Sequence, residues 1–166
     1  ILLLAATGTG KEAAAQGISK LMAEVKKVVP SAMDFIGPAE ISSPQALTKY
    51  LGNQSPSVVS LVGEFGIHLK QMGAENASPH MLGLKRMLLD LFNKSGEGAT
   101  INQTIYSDKD KNTGILYAPS FSMFGESAPE PFYEALNESM ISNGLLPRFT
   151  MIEYRGDRVD RNPGAS

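Results

Sequence analysis

The chain contains no cysteine, which excludes disulfides and thiolate metal sites and favours a reducing compartment. Histidine is nearly absent too. His68 and His80 lack metal-ligand spacing and read as loop residues. Neither sign of charge dominates: the formal net charge is −2 over 166 residues, so any nucleic-acid footprint must be local. No run of about 18 apolar residues occurs, which argues against a membrane-spanning helix. What the chain does have is 42% hydrophobic residues, enough for one domain with its own core. It opens inside an apolar run at Ile1, as expected of a piece of a longer polypeptide, and no internal repeat is visible.

Apolar runs and turn residues alternate along the chain. Ile1–Ala5 reads as a short buried strand. Lys11–Val28 reads as a helix whose apolar face (Ile18, Leu21, Met22, Val25) and small early residues suit close packing on a sheet, and Pro30 ends it. Ala32–Ile36 reads as a second short strand. Ser43-Pro44 opens a further helix, a serine cap followed by proline at the first helical position, and Gly52 stops it. The β-branched run Ser57–Val62 predicts a strand buried on both faces. Leu69–His80 reads as a polar connection, and Met81–Phe92 as an amphipathic helix.

Alternation over Thr100–Tyr106 and Gly114–Tyr117, around a solvated turn at 108–112, predicts a β-hairpin. Ser120–Phe124 reads as a buried strand, Pro131–Ser142 as a helix, and Phe149–Tyr154 as a last strand. Residues 155–166 read as a polar loop or linker. Such alternation predicts an α/β fold with a mainly parallel sheet, in which ligands bind beyond the carboxyl ends of the strands.

One segment carries the chemistry. Ala5-Ala6-Thr7-Gly8-Thr9-Gly10-Lys11-Glu12, between a strand and a helix, has most of a phosphate-binding loop. Glycines let backbone N–H groups turn toward phosphate oxygens, and the lysine adds a point charge. Thr7, Gly8, Thr9, Gly10, Lys11 and Glu12 are the candidate nucleotide contacts. Two positions depart from G-x-x-x-x-G-K-[ST]. Ala5 replaces the first glycine, and Glu12 replaces the hydroxyl that normally faces magnesium. Glu12 can ligate the metal itself, point away while water fills the site, or repel phosphate.

Glu64 follows the Ser57–Gly63 run as an acid delivered by a strand to the crevice, where it can orient water or bind metal. Glu12 and Glu64 are therefore the candidate metal ligands. Arg148 stands in Gly144-Leu145-Leu146-Pro147-Arg148-Phe149. It can neutralise charge on a transferring phosphoryl group, in its own subunit or a neighbour's, or pair with Glu138 or Glu153. Lys109 and Lys111 are a solvated pair that in a ring ATPase could face nucleic acid. Lys85 with Arg86, and Arg155 with Arg158 and Arg161, read as solvated faces.

Together these residues resemble the phage and prophage primase-helicase ATPases, a family with a RecA-like fold. Thr7-Gly8-Thr9-Gly10-Lys11 looks like its nucleotide loop, and Ser43-Pro44-Gln45-Ala46-Leu47 like its T-P-E-x-L helix start. Glu64-Phe65-Gly66 resembles its D-E-x-G strand end, and Leu89-Asp90-Leu91-Phe92-Asn93 the helix before its strand pair. Ser122 to Pro129 resembles its sensor strand, and Asn143-Gly144-Leu145-Leu146-Pro147-Arg148-Phe149 its D-G-L-x-x-R-F element. The resemblance implies an ATP- and Mg2+-dependent motor core that assembles as a ring, a hexamer, on single-stranded DNA in a bacterial cytoplasm. It implies Lys11 on phosphate, Glu64 as catalytic acid and Arg148 as an arginine finger. Because Ala128 holds the usual polar position, Ser127 or Glu126 would sense the γ-phosphate. Two other readings stay open: a nucleotide-binding scaffold with little turnover, and a packaging-type ATPase on duplex DNA.

Overall fold

The computed structural model describes residues 1–142, 144–158 and 160. Along the chain come β1 (Leu2–Ala5), α1 (Glu12–Lys26), α2 (Pro44–Asn53), β2 (Ser57–Val62), α3 (Phe65–Gly73) and α4 (Pro79–Asn93). A short pair follows, β3 (Thr100–Ile101) and β4 (Leu116–Tyr117). Then come β5 (Ser120–Ser127), α5 (Pro129–Ala135), α6 (Glu138–Ser142) and β6 (Met151–Tyr154). Four strands form one sheet in the order β2-β5-β1-β6, every pairing parallel. The fold is α/β, a parallel sheet flanked by helices, and is compatible with a RecA-like core.

Register decides which side chains meet. Leu2 aligns with Gly125 and Leu4 with Ser127, while Val58, Ser60 and Val62 align with Phe121, Met123 and Gly125. Alternation puts all of these on one sheet face. There Leu2, Leu4, Val58 and Val62 join Phe65 and Leu69 of α3, Leu88 and Leu91 of α4 and Phe132 of α5 in one cluster. Full burial of each such side chain stabilises by about 1.5–3 kcal/mol, so this face dominates the core energetics. The opposite face carries Leu3, Val59, Leu61 and Phe124, all half-buried.

That asymmetry corrects two expectations. Helix α1 buries no residue, and Leu21 on its apolar side is 63% exposed. Its main packing partner is the 3₁₀ segment Pro30–Phe35 that follows it, not the sheet. Consequently Ser57–Val62 is buried on one face only, with Ser57, Val59 and Leu61 half-buried. In β5 the burial is the reverse of that expected: Phe121, Met123 and Phe124 are half-buried, whereas Gly125, Glu126 and Ser127 are buried.

Other boundaries move for local reasons. The strand expected at Ala32–Ile36 is a 3₁₀ helix over Pro30–Phe35, where proline starts a tight turn, and only Ile36 bridges Val59. The polar connection expected from Leu69 is largely helical, because Phe65, Leu69 and Met72 bury at helical spacing. The helix expected over Pro131–Ser142 breaks in two. Asn137 caps α6 by accepting the Met140 N–H at 2.9 Å, and its amide donates to the Gly73 carbonyl. The hairpin near 100–117 keeps only two residue pairs. Beyond them one backbone bond remains, from Thr113 N–H to the Thr104 carbonyl (3.1 Å), and Thr113 Oγ1 and Asn112 Oδ1 accept the N–H groups of Thr104 and Tyr106 in place of further ladder bonds. The last strand starts at Met151, since Leu146–Arg148 is a 3₁₀ turn. Asn143 of the sequence motif, and Arg161 with the rest of the tail from 161, lie outside the described residues.

Candidate nucleotide-binding site

Strand β1 ends at Ala5 and delivers the chain into the loop before α1. Gly8 and Gly10 have φ of 83° and 86°, the left-handed region that side chains resist. Thr9 closes the turn, donating from its N–H (3.3 Å) and its hydroxyl (2.7 Å) to the Ala6 carbonyl. Among the described residues the N–H groups of Gly8, Gly10 and Lys11 have no partner. Nothing lies within 4 Å of where a Cβ would stand on either glycine. Unpaired donors, open space and the positive end of α1 together make a place for an anion. Thr7 is exposed at the mouth of the loop, and Glu12 is exposed in the first turn of α1.

The Lys11 side chain is 9% exposed, with Nζ 3.6 Å from Glu64 Oε1. The lysine of this loop and the strand-end acid, 53 positions apart by number (64 − 11), therefore share one crevice. Glu64 caps α3 with φ 49° and ψ 39°, left-handed for a residue that has a Cβ. Such a conformation costs about 1–2 kcal/mol and persists only where the surroundings impose it. Here the chain must leave β2 and enter α3 at once, since Phe65 is buried in the core.

Glu126 and Ser127 stand side by side on β5 but face opposite ways. Glu126 aligns with Leu3, between the ends of β1 and β2. It is only 8% exposed, and its buried Oε2 has no hydrogen-bond partner. Burial pushes its carboxyl above the ordinary carboxylate range. Lys11 opposes that shift, while Glu12 and Glu64 reinforce it. Ser127 is fully buried on the core face, where its hydroxyl donates to the Ala128 carbonyl at 2.8 Å and fills the space beside Gly66. Glu126 feels the charges of Lys11, Glu12 and Glu64.

Arg148 lies elsewhere. It precedes β6, at the amino ends of the strands, whereas the loop follows their carboxyl ends. Its guanidinium donates to the Gly144 carbonyl and to Asn93 Oδ1 (3.1 Å), stacks over Phe92 at 5.2 Å, and keeps a buried Nε without a partner. It pairs with neither Glu138 nor Glu153; Glu153 instead accepts from Arg155 and Tyr133. Lys109 and Lys111 are exposed on a 3₁₀ turn, Lys111 pairing with Asp108 at 3.3 Å. Gln45 and Lys49 of α2 anchor that loop through Tyr106 Oη and the Asp110 carbonyl.

Among the described residues no three acidic or histidine side chains converge to hold a metal. Glu12 and Glu64 are the side chains that would hold a Mg2+ ion here, with water filling the remaining positions. Among the described residues no helix is long and apolar enough to cross a membrane. Sequence reasoning missed the burial of Glu126, for which an acid within a strand flanked by small residues is the only signal. It also missed Asn93 and Phe92 as partners of Arg148. No family model matches the chain, and no curated protein matches it.

Proposed function

We propose that this chain is the ATP-hydrolysing module of a phage-type replicative helicase acting on single-stranded DNA. The observation that carries the reading is the meeting of Lys11, Glu64 and Glu126 at the carboxyl ends of three parallel strands, beside a loop of unpaired N–H groups. The loop and Lys11 hold the β- and γ-phosphates, Glu64 orients the attacking water, and Glu126 borders the terminal phosphate. Mg2+ supplies charge neutralisation when bound. Arg148, remote from the loop of its own subunit, acts in a neighbour's site within a ring, and must then leave Gly144 and Asn93. Lys109 and Lys111 face the DNA. Measurement of DNA-stimulated ATPase tests this reading: Lys11→Ala and Glu64→Gln should each abolish stimulation, and full activity in both would sink it.

A specific observation favours a second reading. Glu12 places a carboxylate in the first turn of α1, and its charge adds to those of Glu64 and Glu126. Such a site can hold nucleotide without turnover, as a scaffold. Tight ATP binding with Mg2+ and no hydrolysis in the intact protein would select it.

A further inference from the structure

We infer that the cavity between α2, α4 and the chain joining β3 to β4 takes one nucleotide of single-stranded DNA, its base inside and its phosphate on Arg86. This rests on the DNA-acting reading and assigns the surface that meets the strand. The cavity measures about 260 Å3 and shares no residue with the phosphate loop.

Three elements build it. Gly83, Arg86, Met87 and Asp90 fall on one face of α4 at helical spacing, and Gln45 and Thr48 line it from α2. The two helices draw together at one end, where a Cβ on Gly83 would stand 2.9 Å from the Pro44 ring. Ile101, Asn102 and Tyr106 form the third wall. Two bonds tie that wall and its loop to α2. Gln45 Nε2 donates to Tyr106 Oη at 2.6 Å, and the Lys49 ammonium donates to the Asp110 carbonyl. The cavity is therefore preformed.

Its lining suits a nucleotide. Met87 and Ile101 are buried and give a planar base an apolar floor. Arg86 and Asn102 are exposed at the rim, and among the described residues neither side chain has a hydrogen-bond or ion-pair partner. An amide donates and accepts along the edge of any base, and a guanidinium fits a phosphate through two parallel bonds. A volume just under the roughly 300 Å3 at which small-molecule sites begin leaves room for one base and not for two.

Charge favours the same partner. Across the cavity and its loop, Lys49, Arg86, Lys94, Lys109 and Lys111 outnumber Asp90, Asp108 and Asp110, in a chain whose formal net charge is −2. The Asp90–Lys94 pair at 3.4 Å and the Asp108–Lys111 pair at 3.3 Å are solvent-exposed, so they hold their lysines weakly and phosphates can take both. Cations beside an aromatic ring, here Tyr106, are the elements of a single-strand site.

Fluorescence anisotropy of labelled oligothymidylate, about 20 nucleotides long so that it exceeds a single-strand footprint, tests the assignment. Arg86→Ala should weaken binding about tenfold and lessen the dependence of log Kd on log salt by about 0.7, the share of one phosphate. Asn102→Phe leaves the charge unchanged and fills the cavity from its rim. It should weaken binding about fivefold or more at unchanged salt dependence, while an abasic strand of equal length binds it as it binds wild type. Both positions are exposed, and circular dichroism melts check that the variants fold. Binding of oligothymidylate by both variants within about twofold of wild type would overturn the assignment and leave the DNA-acting reading in place. So would an equal loss of the abasic strand by Asn102→Phe, since no base then enters the cavity. Thymidine monophosphate bound as tightly as the oligonucleotide would also overturn it, giving the cavity to a free nucleotide. Wild type that binds no single-stranded DNA even at about 50 mM salt would refute the helicase reading itself.

Discussion

The contact between α3 and β5 is tight enough to give a quantitative prediction. A Cβ placed on Gly66 would overlap Ser127 Oγ and stand 3.2 Å from both Ser127 Cβ and the Phe132 nitrogen. Two of these neighbours cannot yield, because one is backbone and the other belongs to a fully buried residue. Overpacking of this kind costs about 1–3 kcal/mol. At about 2–4 °C per kcal/mol for a chain of this size, Gly66→Ala should lower Tm by about 2–12 °C. Ser127→Ala alone loses only the bond to Ala128, about 0.5–1.5 kcal/mol. The double variant removes the overlapping oxygen and should be more stable than additivity predicts by about 1 kcal/mol. Urea unfolding followed by circular dichroism measures the cycle. A Gly66→Ala cost under about 0.5 kcal/mol, with an additive double variant, would refute the packing geometry that sets where Glu64 leaves its strand.

Three further outcomes follow from other contacts. Glu64→Gly should relieve about 1 kcal/mol of left-handed backbone strain but leave the buried Lys11 ammonium without its carboxylate, so stability should fall by about 1–3 kcal/mol net while hydrolysis is lost. Arg148→Lys should cost about 1–3 kcal/mol in thermal unfolding, since an ammonium cannot keep both the Gly144 and Asn93 bonds and the stack on Phe92. The raised proton affinity of Glu126 contributes stability that is complete at low pH and is lost as pH rises through the elevated value. Glu126→Gln should therefore melt above wild type at pH 7 to 8, and the difference should vanish below about pH 4, read from paired melts across that range.

β1 and β2 were legible because their core-facing positions sit in apolar runs; β6, exposed along its length, also lies within its predicted segment, while β5 runs three residues past its own. The loop of Gly8 and Gly10 was legible for a similar reason: its backbone demands glycine, and glycine is visible. Helix α3 was not, because the segment from Leu69 reads as a polar connection, and the close approach of Gly66 to Ser127 that seats the helix leaves no local pattern. The split between α5 and α6 depends on an Asn137 contact to Gly73, 64 residues away, which no local pattern records. The glycine-loop match singled out Lys11 and the strand end singled out Glu64, and the two side chains do meet at 3.6 Å. The difference between Glu126 and Ser127 was not legible. Adjacent residues on a strand face opposite ways, and only the register against β1 reveals which one faces the core. Arg148 was legible as a held cation, but its partners Asn93 and Phe92 come from a distant helix end.

The central claim is that the loop before α1 binds nucleotide phosphate through Lys11. Calorimetric titration of ATP with Mg2+ into the wild-type chain and into Lys11→Ala tests it most directly. Saturable binding by wild type, weakened about tenfold or more in the variant, a difference of at least about 1.4 kcal/mol, is the predicted result. Equal binding by both proteins, or none by wild type, would contradict the account.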